Sequence, residues 1–301
     1  MVPTVKQLKY LIALDDYCHF SKAAAACFIS QSAFSIAIRE LETTLNVQLV
    51  ERTNKSVIIT MVGRAVVTQA RLCISDIEGL MNIAASGQGP LSGKLTLGVI
   101  PTIAPFLLPS FISEIVKRFP ILKLYLREDK TAVIHEQLLD GKLDLILVAL
   151  PFELRGAIVM PLFKDPFLLA CRTGSRWLDV TQNGWDFDSL PDESVLLLED
   201  GHCLRDHALA ACAMRDSDQI SRFSATSLQT LLQMVVADLG ITFVPAMAEK
   251  SLVGENSNLT LHPMPEQSCR EIGLAWRKGS SRSDEFIHLG KLLKELHHEL
   301  P

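Results

Sequence analysis

The chain has 301 residues, 48% of them apolar and 21% charged, which is enough for two domains with their own cores and excludes a disordered chain. No run of about 18 uncharged apolar residues is present and the N-terminus lacks the order of a signal peptide, so we expect a cytoplasmic protein with no membrane partner. The formal net charge is -5, yet residues 1–71 hold eight Lys/Arg against five Asp/Glu, whereas the remainder holds 21 against 29. This asymmetry indicates an N-terminal module that binds nucleic acid as part of an oligomer.

Two short helices joined by a tight turn are predicted near the N-terminus, after a first helix over residues 4–17. The alanine-rich segment 20–27 forms the first of the two, with Ser21 as its expected N-cap, and Ser30 is expected to cap the second, over residues 31–42. This pattern predicts a helix-turn-helix whose second helix enters the major groove. The residues expected to contact DNA there are Ser30, Gln31, Ser32, Ser35 and Arg39.

A wing and a long helix are predicted next. Residues 51–56 form a turn between two short strands, from which Arg52 and Lys55 are expected to reach phosphates. The helix predicted over residues 62–85 carries a stripe of apolar and small side chains, which favours pairing with a second chain, with packing inside the chain as the alternative. The stripe consists of Val66, Ala70, Cys73, Ile77, Leu80 and Ala84. Gly and Pro residues at 87–90 then form a hinge.

Beyond residue 93, short apolar strands alternate with helices, which predicts parallel α/β units in two subdomains with a cleft between them. The expected strands lie at residues 94–99, 122–126, 143–148, 167–170, 195–198 and 241–244, with a helix at 106–119. The fold class is therefore an α/β effector domain preceded by an α-rich winged helix-turn-helix and a long linker helix. The expected domains are the DNA-binding domain at 1–60, the linker helix and hinge at 61–90, and the regulatory domain at 91–301. Within the last, subdomain I covers about 91–164 and 269–301, and subdomain II covers about 165–268.

The cysteines form no CxxC pair, and their number is odd. They are Cys18, Cys27, Cys73, Cys171, Cys203, Cys212 and Cys269. This usage predicts neither a zinc site nor a disulfide framework, and most of the thiols are expected to be small buried side chains. Cys203 differs, because it follows a predicted strand and turn, near the start of a helix and beside His202 and Arg205. These surroundings are expected to favour a reactive thiolate.

The N-terminal motifs and the order of the elements resemble the LysR-type family of bacterial transcription regulators. The motifs are Phe20-Ser21-Lys22-Ala23-Ala24, Ser30-Gln31-Ser32-Ala33-Phe34-Ser35, Ile38-Arg39-Glu40-Leu41-Glu42 and Leu49-Val50-Glu51-Arg52-Thr53. The resemblance covers the whole chain, including the linker helix and a two-part effector domain similar to periplasmic binding proteins. Ser32 is a departure, because many members have proline there.

Within that family, residues 198–206, with Cys212 nine residues after Cys203, resemble the OxyR branch of hydrogen-peroxide sensors. The resemblance implies that Cys203 is the peroxidatic cysteine and that Cys212 resolves its sulfenic acid to a disulfide. The peroxide pocket that it implies consists of Thr102, Thr131, His202, Asp206 and Arg270. It also implies a homodimer or homotetramer that binds double-stranded promoter DNA and contacts RNA polymerase, without cofactor, metal or enzymatic turnover. Departures are His207, where glutamine is expected, and the divergent segment 212–221.

The spacing of the two cysteines has a mechanical implication. If residues 203–212 are largely helical, Cys212 lies on the opposite face of the helix and about 13 Å further along its axis. A disulfide needs Cα atoms within about 7 Å, so the implied bond requires this segment to unwind and repack.

Other functions remain open at this point. A small-molecule inducer in the cleft would use Thr102 and Thr131 to bind a carboxylate, with Cys203 as an ordinary core thiol. A metal held by His202, Cys203, His207 and Cys212 is conceivable at helical spacing, but no fuller ligand set is evident. A thiol peroxidase is a third possibility, against which the winged module and the linker helix argue.

Overall fold

The computed structural model describes residues 2–52, 57–84, 91–175, 190–211, 218–255 and 258–299. The chain divides into two compact units. The N-terminal unit contains Met1–Pro90, Leu139–Lys142 and Ser280–Arg282, and the C-terminal unit contains Leu91–Leu138, Leu143–Gly279 and Ser283–Pro301. One apolar core lies in the N-terminal unit and two lie in the C-terminal unit.

Helices and a two-stranded ribbon form the N-terminal unit. They are α1 (Val5–Tyr17), α2 (Phe20–Ala26), α3 (Gln31–Leu45), β1 (Val50–Arg52), β2 (Val57–Ile59) and α4 (Met61–Ala84). β1 and β2 pair antiparallel, with the wing turn at 53–56 outside the described residues. The predicted helix-turn-helix, the two wing strands and the long helix are therefore confirmed.

The starts of α2 and α3 follow from local hydrogen bonds. Ser30 caps α3 as predicted, because its hydroxyl oxygen accepts from the Ala33 N–H at 3.2 Å. The predicted cap of α2 is wrong: the ring nitrogen Nδ1 of His19 accepts from the Ser21 N–H at 3.2 Å and starts the helix earlier. Ser21 lies inside α2, and its hydroxyl donates to Gln31 Oε1 at 2.6 Å, which joins the two helices.

The core of the N-terminal unit buries the apolar side of α3. Phe34, Ile38 and Leu41 are fully buried, in agreement with their helical spacing. Val66 near the start of α4 packs against the same core, whereas Leu80 near its end is 67% exposed, so packing inside this unit covers only the first part of the predicted stripe. Among the described residues no single helix is long and apolar enough to span a membrane; α2 and α3 pass on length and composition only as a pair bent by 98°.

Strands and helices alternate through the C-terminal unit, which confirms the α/β class. The first elements are β3 (Gly93–Val99), α5 (Ala104–Arg118), β4 (Leu122–Glu128), α6 (Thr131–Leu139), β5 (Leu145–Leu150), β6 (Ala157–Arg172) and β7 (Val195–Leu198). The remainder are α7 (Cys203–Ala211), β8 (Ile220–Ala225), α8 (Leu228–Val236), β9 (Thr242–Pro245), α9 (Glu249–Glu255), β10 (Leu259–Pro263), β11 (Cys269–Arg277) and α10 (Ser283–Glu299).

The main sheet is mixed, with strand order β10-β6-β11-β5-β3-β4 and β9 paired to β6. β3 is parallel to β4 and β5, and β7 is parallel to β8, but β11 is antiparallel to β5 and β6. The predicted parallel units are therefore present, but the sheet also contains antiparallel pairs, which the sequence did not indicate. Antiparallel neighbours need no crossover helix between them, and the apolar runs alone do not distinguish the two directions.

The strand β6 is shared by two apolar cores. Its residues 157–166 pair with β11, whereas residues 167–172 pair with β9 and β10. One core surrounds Phe111 and Trp276, and the other surrounds Phe167 and Phe243. The cysteine pocket described below lies close to the point where β6 passes from one core to the other.

Candidate functional site

The exposed side of α3 carries the residues predicted to contact DNA. The Ser30 and Ser32 hydroxyls form a hydrogen bond with each other at 3.1 Å. The Gln31 side chain accepts a hydrogen bond from Ser21 of α2, so the side chains of the first turn of α3 are held in place by the protein itself. Ser32 and Arg39 are exposed, whereas Ser35 is half-buried. Small polar groups at the N-terminus of a helix, with a cation further along, suit phosphate and base contacts.

The wing is anchored to α3 by Glu42, a residue that sequence reasoning missed. One carboxylate oxygen of Glu42 accepts from the backbone N–H of Leu49 at 2.9 Å and of Val50 at 3.1 Å. Arg52 ends β1, but its side chain and all of Lys55 lie outside the described residues. An acidic residue close to the end of a helix that precedes a short strand is the signal that could have identified this anchor.

We expect Glu42→Ala to lower the free energy of unfolding of the N-terminal unit by about 2 kcal/mol, because two buried N–H groups lose their acceptor. DNA affinity should fall with it, since the wing is no longer fixed to α3. Chemical unfolding and fluorescence anisotropy with DNA at constant salt measure both effects. The matched control is Glu40→Ala, which removes an exposed carboxylate from the same helix. Equal behaviour of the two variants would refute the anchor.

The cysteine pocket is formed where two helices begin. Cys203 is the first residue of α7 and is 7% exposed. Its Sγ lies 2.9 Å from Oγ1 of Thr131, which is the buried first residue of α6. Both helix N-termini therefore face the same thiol, and each favours negative charge there.

Arg270 lies fully buried on β11 and joins Thr102, a predicted pocket residue, to Asp165, which was not predicted. Its Nη1 donates to Thr102 Oγ1 at 2.8 Å and its Nη2 donates to the Thr102 carbonyl at 2.9 Å. Its Nε donates to Asp165 Oδ2 at 2.9 Å, and Asp165 is its direct partner across the antiparallel β11–β6 pair. Asp165 is also buried, so the guanidinium charge is balanced inside the protein.

The remaining predicted pocket residues are placed differently. His202 is buried immediately before Cys203, whereas Asp206 is exposed on the first turn of α7. Arg205, the other cation expected beside the thiol, pairs with Asp200 at 3.0 Å instead. Cys212 lies outside the described residues, although α7 is helical up to Ala211, as the spacing argument assumed.

Electrostatics in the pocket favour the neutral thiol. Burial raises the pKa of Cys203 and Asp206 adds to this, while the hydrogen bond from Thr131 and the charge of Arg270 oppose it. Burial, together with the charge of Lys130, lowers the pKa of His202 against the opposing effect of Glu199, so that this imidazole is uncharged at neutral pH. Donors of the kind expected to favour a thiolate are present, but desolvation outweighs them, so a reactive thiolate stays a prediction.

A further histidine, considered from the sequence only as a possible metal ligand, also lines this region. His207, one turn after Cys203 on α7, is buried, and its Nε2 lies 3.0 Å from the Pro151 carbonyl. Asp165 has a second partner in the backbone N–H of Met247 at 3.0 Å. Contacts of this kind join segments distant in the chain, which no local pattern reveals.

A winged helix-turn-helix followed by an α/β unit with a polar pocket defines a two-part DNA-binding regulator. Residues 5–64 match the bacterial regulatory helix-turn-helix protein of the lysR family, and residues 88–297 match the LysR substrate binding domain. The chain therefore belongs to the LysR family of bacterial transcription regulators.

Particular members of the family are similar along their whole length. The regulator EstR of Acinetobacter baylyi is 37% identical over 296 residues, covering 98% of this chain and 97% of the relative. The dual regulator OxyR of Escherichia coli is 38% identical over 290 residues, covering 96% and 94%. The structure of a full-length OxyR variant from Pseudomonas aeruginosa has a TM-score of 0.81 at 30% identity and covers 98% of this chain and 95% of that one.

Proposed function

We propose that this regulator responds to hydrogen peroxide through oxidation of Cys203. The observation that carries the proposal is the contact of the buried Cys203 thiol with the Thr131 hydroxyl at 2.9 Å, at the N-terminus of α7 and near Arg270. Similarity to OxyR along the whole chain supports the same conclusion. Peroxide is small and uncharged, so it suits a narrow pocket of hydroxyl and guanidinium donors.

The chemistry requires the sulfur to act as a two-electron reductant. The Cys203 sulfur attacks one peroxide oxygen, the O–O bond breaks, and the second oxygen leaves as hydroxide that becomes water on protonation. The products are a sulfenic acid and water. Thr102, Thr131, His202 and Arg270 supply donors for the oxygen that gains negative charge, and Asp206 completes the proposed pocket at its exposed edge.

The proposed second step joins Cys203 to Cys212. The Cys212 thiol displaces water from the sulfenic acid and forms a disulfide. Because α7 is helical from Cys203 to Ala211, the bond would require the helix to unwind. Such a change converts a covalent event into a rearrangement of the regulatory domain.

The output of this change is proposed to be altered binding of promoter DNA by a homodimer or homotetramer, with RNA polymerase as a further partner. The DNA contacts would come from residues Ser30, Gln31, Ser32, Ser35, Arg39, Arg52 and Lys55. The exposed apolar end of α4, with Leu80 67% and Met81 64% exposed, is the surface that a second chain would cover.

The subdomain boundaries near residues 165 and 268 are retained as a proposal, supported by the separation of the two cores.

Peptide mass spectrometry of the reduced protein after limiting peroxide, with alkylation of free thiols, tests the proposed function. We expect Cys203 to be oxidised first and to appear linked to Cys212. The internal control is Cys171, which is fully buried and whose thiol has a pKa raised to about 11 by burial and by Asp238. If Cys203 and Cys212 persisted as free thiols, or reacted no faster than Cys171, the proposal would fail.

A small-molecule inducer is the second candidate function, and one observation favours it. A cavity of about 370 Å³ in the C-terminal unit is large enough for a small organic molecule, and Thr102, His202 and Gln229 contribute to its lining. The relative EstR, as similar as OxyR, is not named for peroxide. If DNA binding by this protein changed in response to its signal while every cysteine stayed reduced, that result would support a small-molecule inducer instead.

A further inference from the structure

An isoleucine stands at the centre of the exposed face of α3. Phe34 and Ile38 of this helix are fully buried, and Ile36 lies two residues from each of them, which is about 200° around the helix axis. Its side chain therefore points away from the core of the N-terminal unit, and it is 55% exposed. Single exposed apolar side chains are common on protein surfaces, so only the position of this one can indicate a role.

The neighbours of Ile36 on this face are groups suited to contact with DNA. Ser32 lies four residues before it and Arg39 three residues after it, and both are exposed. Because residues three and four apart are neighbours on a helix surface, Ile36 lies along the axis between this hydroxyl and this guanidinium. Ala33 is also exposed, and its small side chain leaves the isoleucine open on that side.

The surroundings favour DNA over a second protein chain as the partner of this face. Residues 1–71 hold eight Lys/Arg against five Asp/Glu, an excess of positive charge that suits phosphates. The second helix of a helix-turn-helix enters the major groove, and α3 is that helix in this chain. The centre of its exposed face is the part that reaches deepest toward the base edges.

The chemistry of isoleucine selects among those base edges. The major groove displays hydrogen-bond donors and acceptors, and thymine alone adds a methyl group, at its C5 atom. The isoleucine side chain has no hydrogen-bonding group, so it would leave a polar base edge without a partner, whereas contact with a methyl group removes apolar surface from water. The favoured neighbour of Ile36 is therefore thymine.

We propose that Ile36 contacts the 5-methyl group of a thymine in the major groove and makes the regulator prefer thymine at that position. The inference rests on the proposed DNA-binding face of α3 and does not depend on peroxide sensing. Contacts to phosphates position a protein on DNA without reading sequence, whereas contacts to base edges specify it. Ile36 is thus a specificity-determining residue beside the polar contacts of Ser32 and Arg39.

Replacement of thymine by deoxyuridine tests the contact, because deoxyuridine keeps the base pair and lacks only the methyl group. The probe is a DNA duplex selected from a random pool by the full-length reduced protein, with its thymines replaced one at a time. Fluorescence anisotropy at constant salt gives the dissociation constants. We expect one replacement within the sequence bound by each α3 to weaken binding about fourfold, the effect of returning one buried methyl-sized group to water.

Ile36→Ala is the test variant, since alanine favours a helix and the exposed position leaves the core unchanged. It should bind the unmodified duplex at least about fourfold more weakly than the wild type and lose no further affinity when that thymine is replaced. If the same replacement weakened Ile36→Ala and the wild type equally, the methyl group would belong to another residue and the proposal would be overturned. A wild type indifferent to every replacement would overturn it as well.

The matched control is Ile287→Ala, which shortens an isoleucine of α10 in the C-terminal unit that is 36% exposed. It should respond to deoxyuridine as the wild type does. Arg39→Ala separates the inference from the proposed DNA-binding face. If Arg39→Ala weakens binding to every duplex and Ile36→Ala binds like the wild type, the face stands and the role of Ile36 is refuted. If neither variant changes the affinity, both are refuted.

Discussion

A Cys203→Ser protein is expected to bind promoter DNA as the wild type does and to lose its response to hydrogen peroxide. The serine hydroxyl is close in size to the thiol and can keep the contact with Thr131, so the fold of the pocket should be preserved. It does not form a sulfenic acid, so neither oxidation nor the disulfide to Cys212 can follow. The expected change is therefore the loss of the signal without loss of the DNA-binding surface.

Transcription from a target promoter, measured with and without peroxide beside DNA binding, checks this expectation. The matched control is Cys269→Ser, which changes a half-buried thiol next to Arg270 and should leave the response in place. A Cys203→Ser protein that still responded to peroxide would defeat the proposed mechanism. Loss of DNA binding in the same variant would instead assign Cys203 a structural role.

Replacing Arg270 by methionine should lower the free energy of unfolding of the C-terminal unit by about 3 to 5 kcal/mol, as expected when a buried ion pair loses one partner. The arginine is 1% exposed and pairs with an Asp165 that is 2% exposed, so no solvent is available to take over its role. Two hydrogen bonds to Thr102 are lost as well. Urea unfolding followed by circular dichroism measures the change.

The double variant Asp165→Asn with Arg270→Met is the informative control. It removes the unpaired carboxylate, so it should recover at least about 1 kcal/mol relative to Arg270→Met alone. A single variant that lost less than about 1 kcal/mol would show that Asp165 does not depend on this arginine for its burial.

The helices, most strands and the parallel pairs could be predicted from the sequence, but the antiparallel pairs could not. The helical spacing of apolar residues identifies α3, and the serine before it identifies its Ser30 cap, because both signals are local in the sequence. The antiparallel position of β11 between β5 and β6 depends on long-range packing, and apolar runs look alike in both directions. The cap of α2 was missed because a histidine ring nitrogen substitutes for the usual serine oxygen.

The candidate site shows the same division. Cys203 and Thr131 were assigned to one pocket by resemblance, and the structure brings their side chains together. Asp165 was not found, because it is 105 residues from Arg270 in the chain and is joined to it only by strand register. The burial that raises the pKa of Cys203 could not be predicted from its neighbours in sequence.

The long strand β6 has a consequence for how the regulatory half of the protein unfolds. Its first part pairs with β11 beside one core and its last part pairs with β9 and β10 beside the other, without a break in the strand. Unfolding of either core would break hydrogen bonds of β6, and β6 also forms part of the other core. We therefore expect the two halves of the C-terminal unit to unfold together as one cooperative unit, so that a substitution that destabilises one core also destabilises the other.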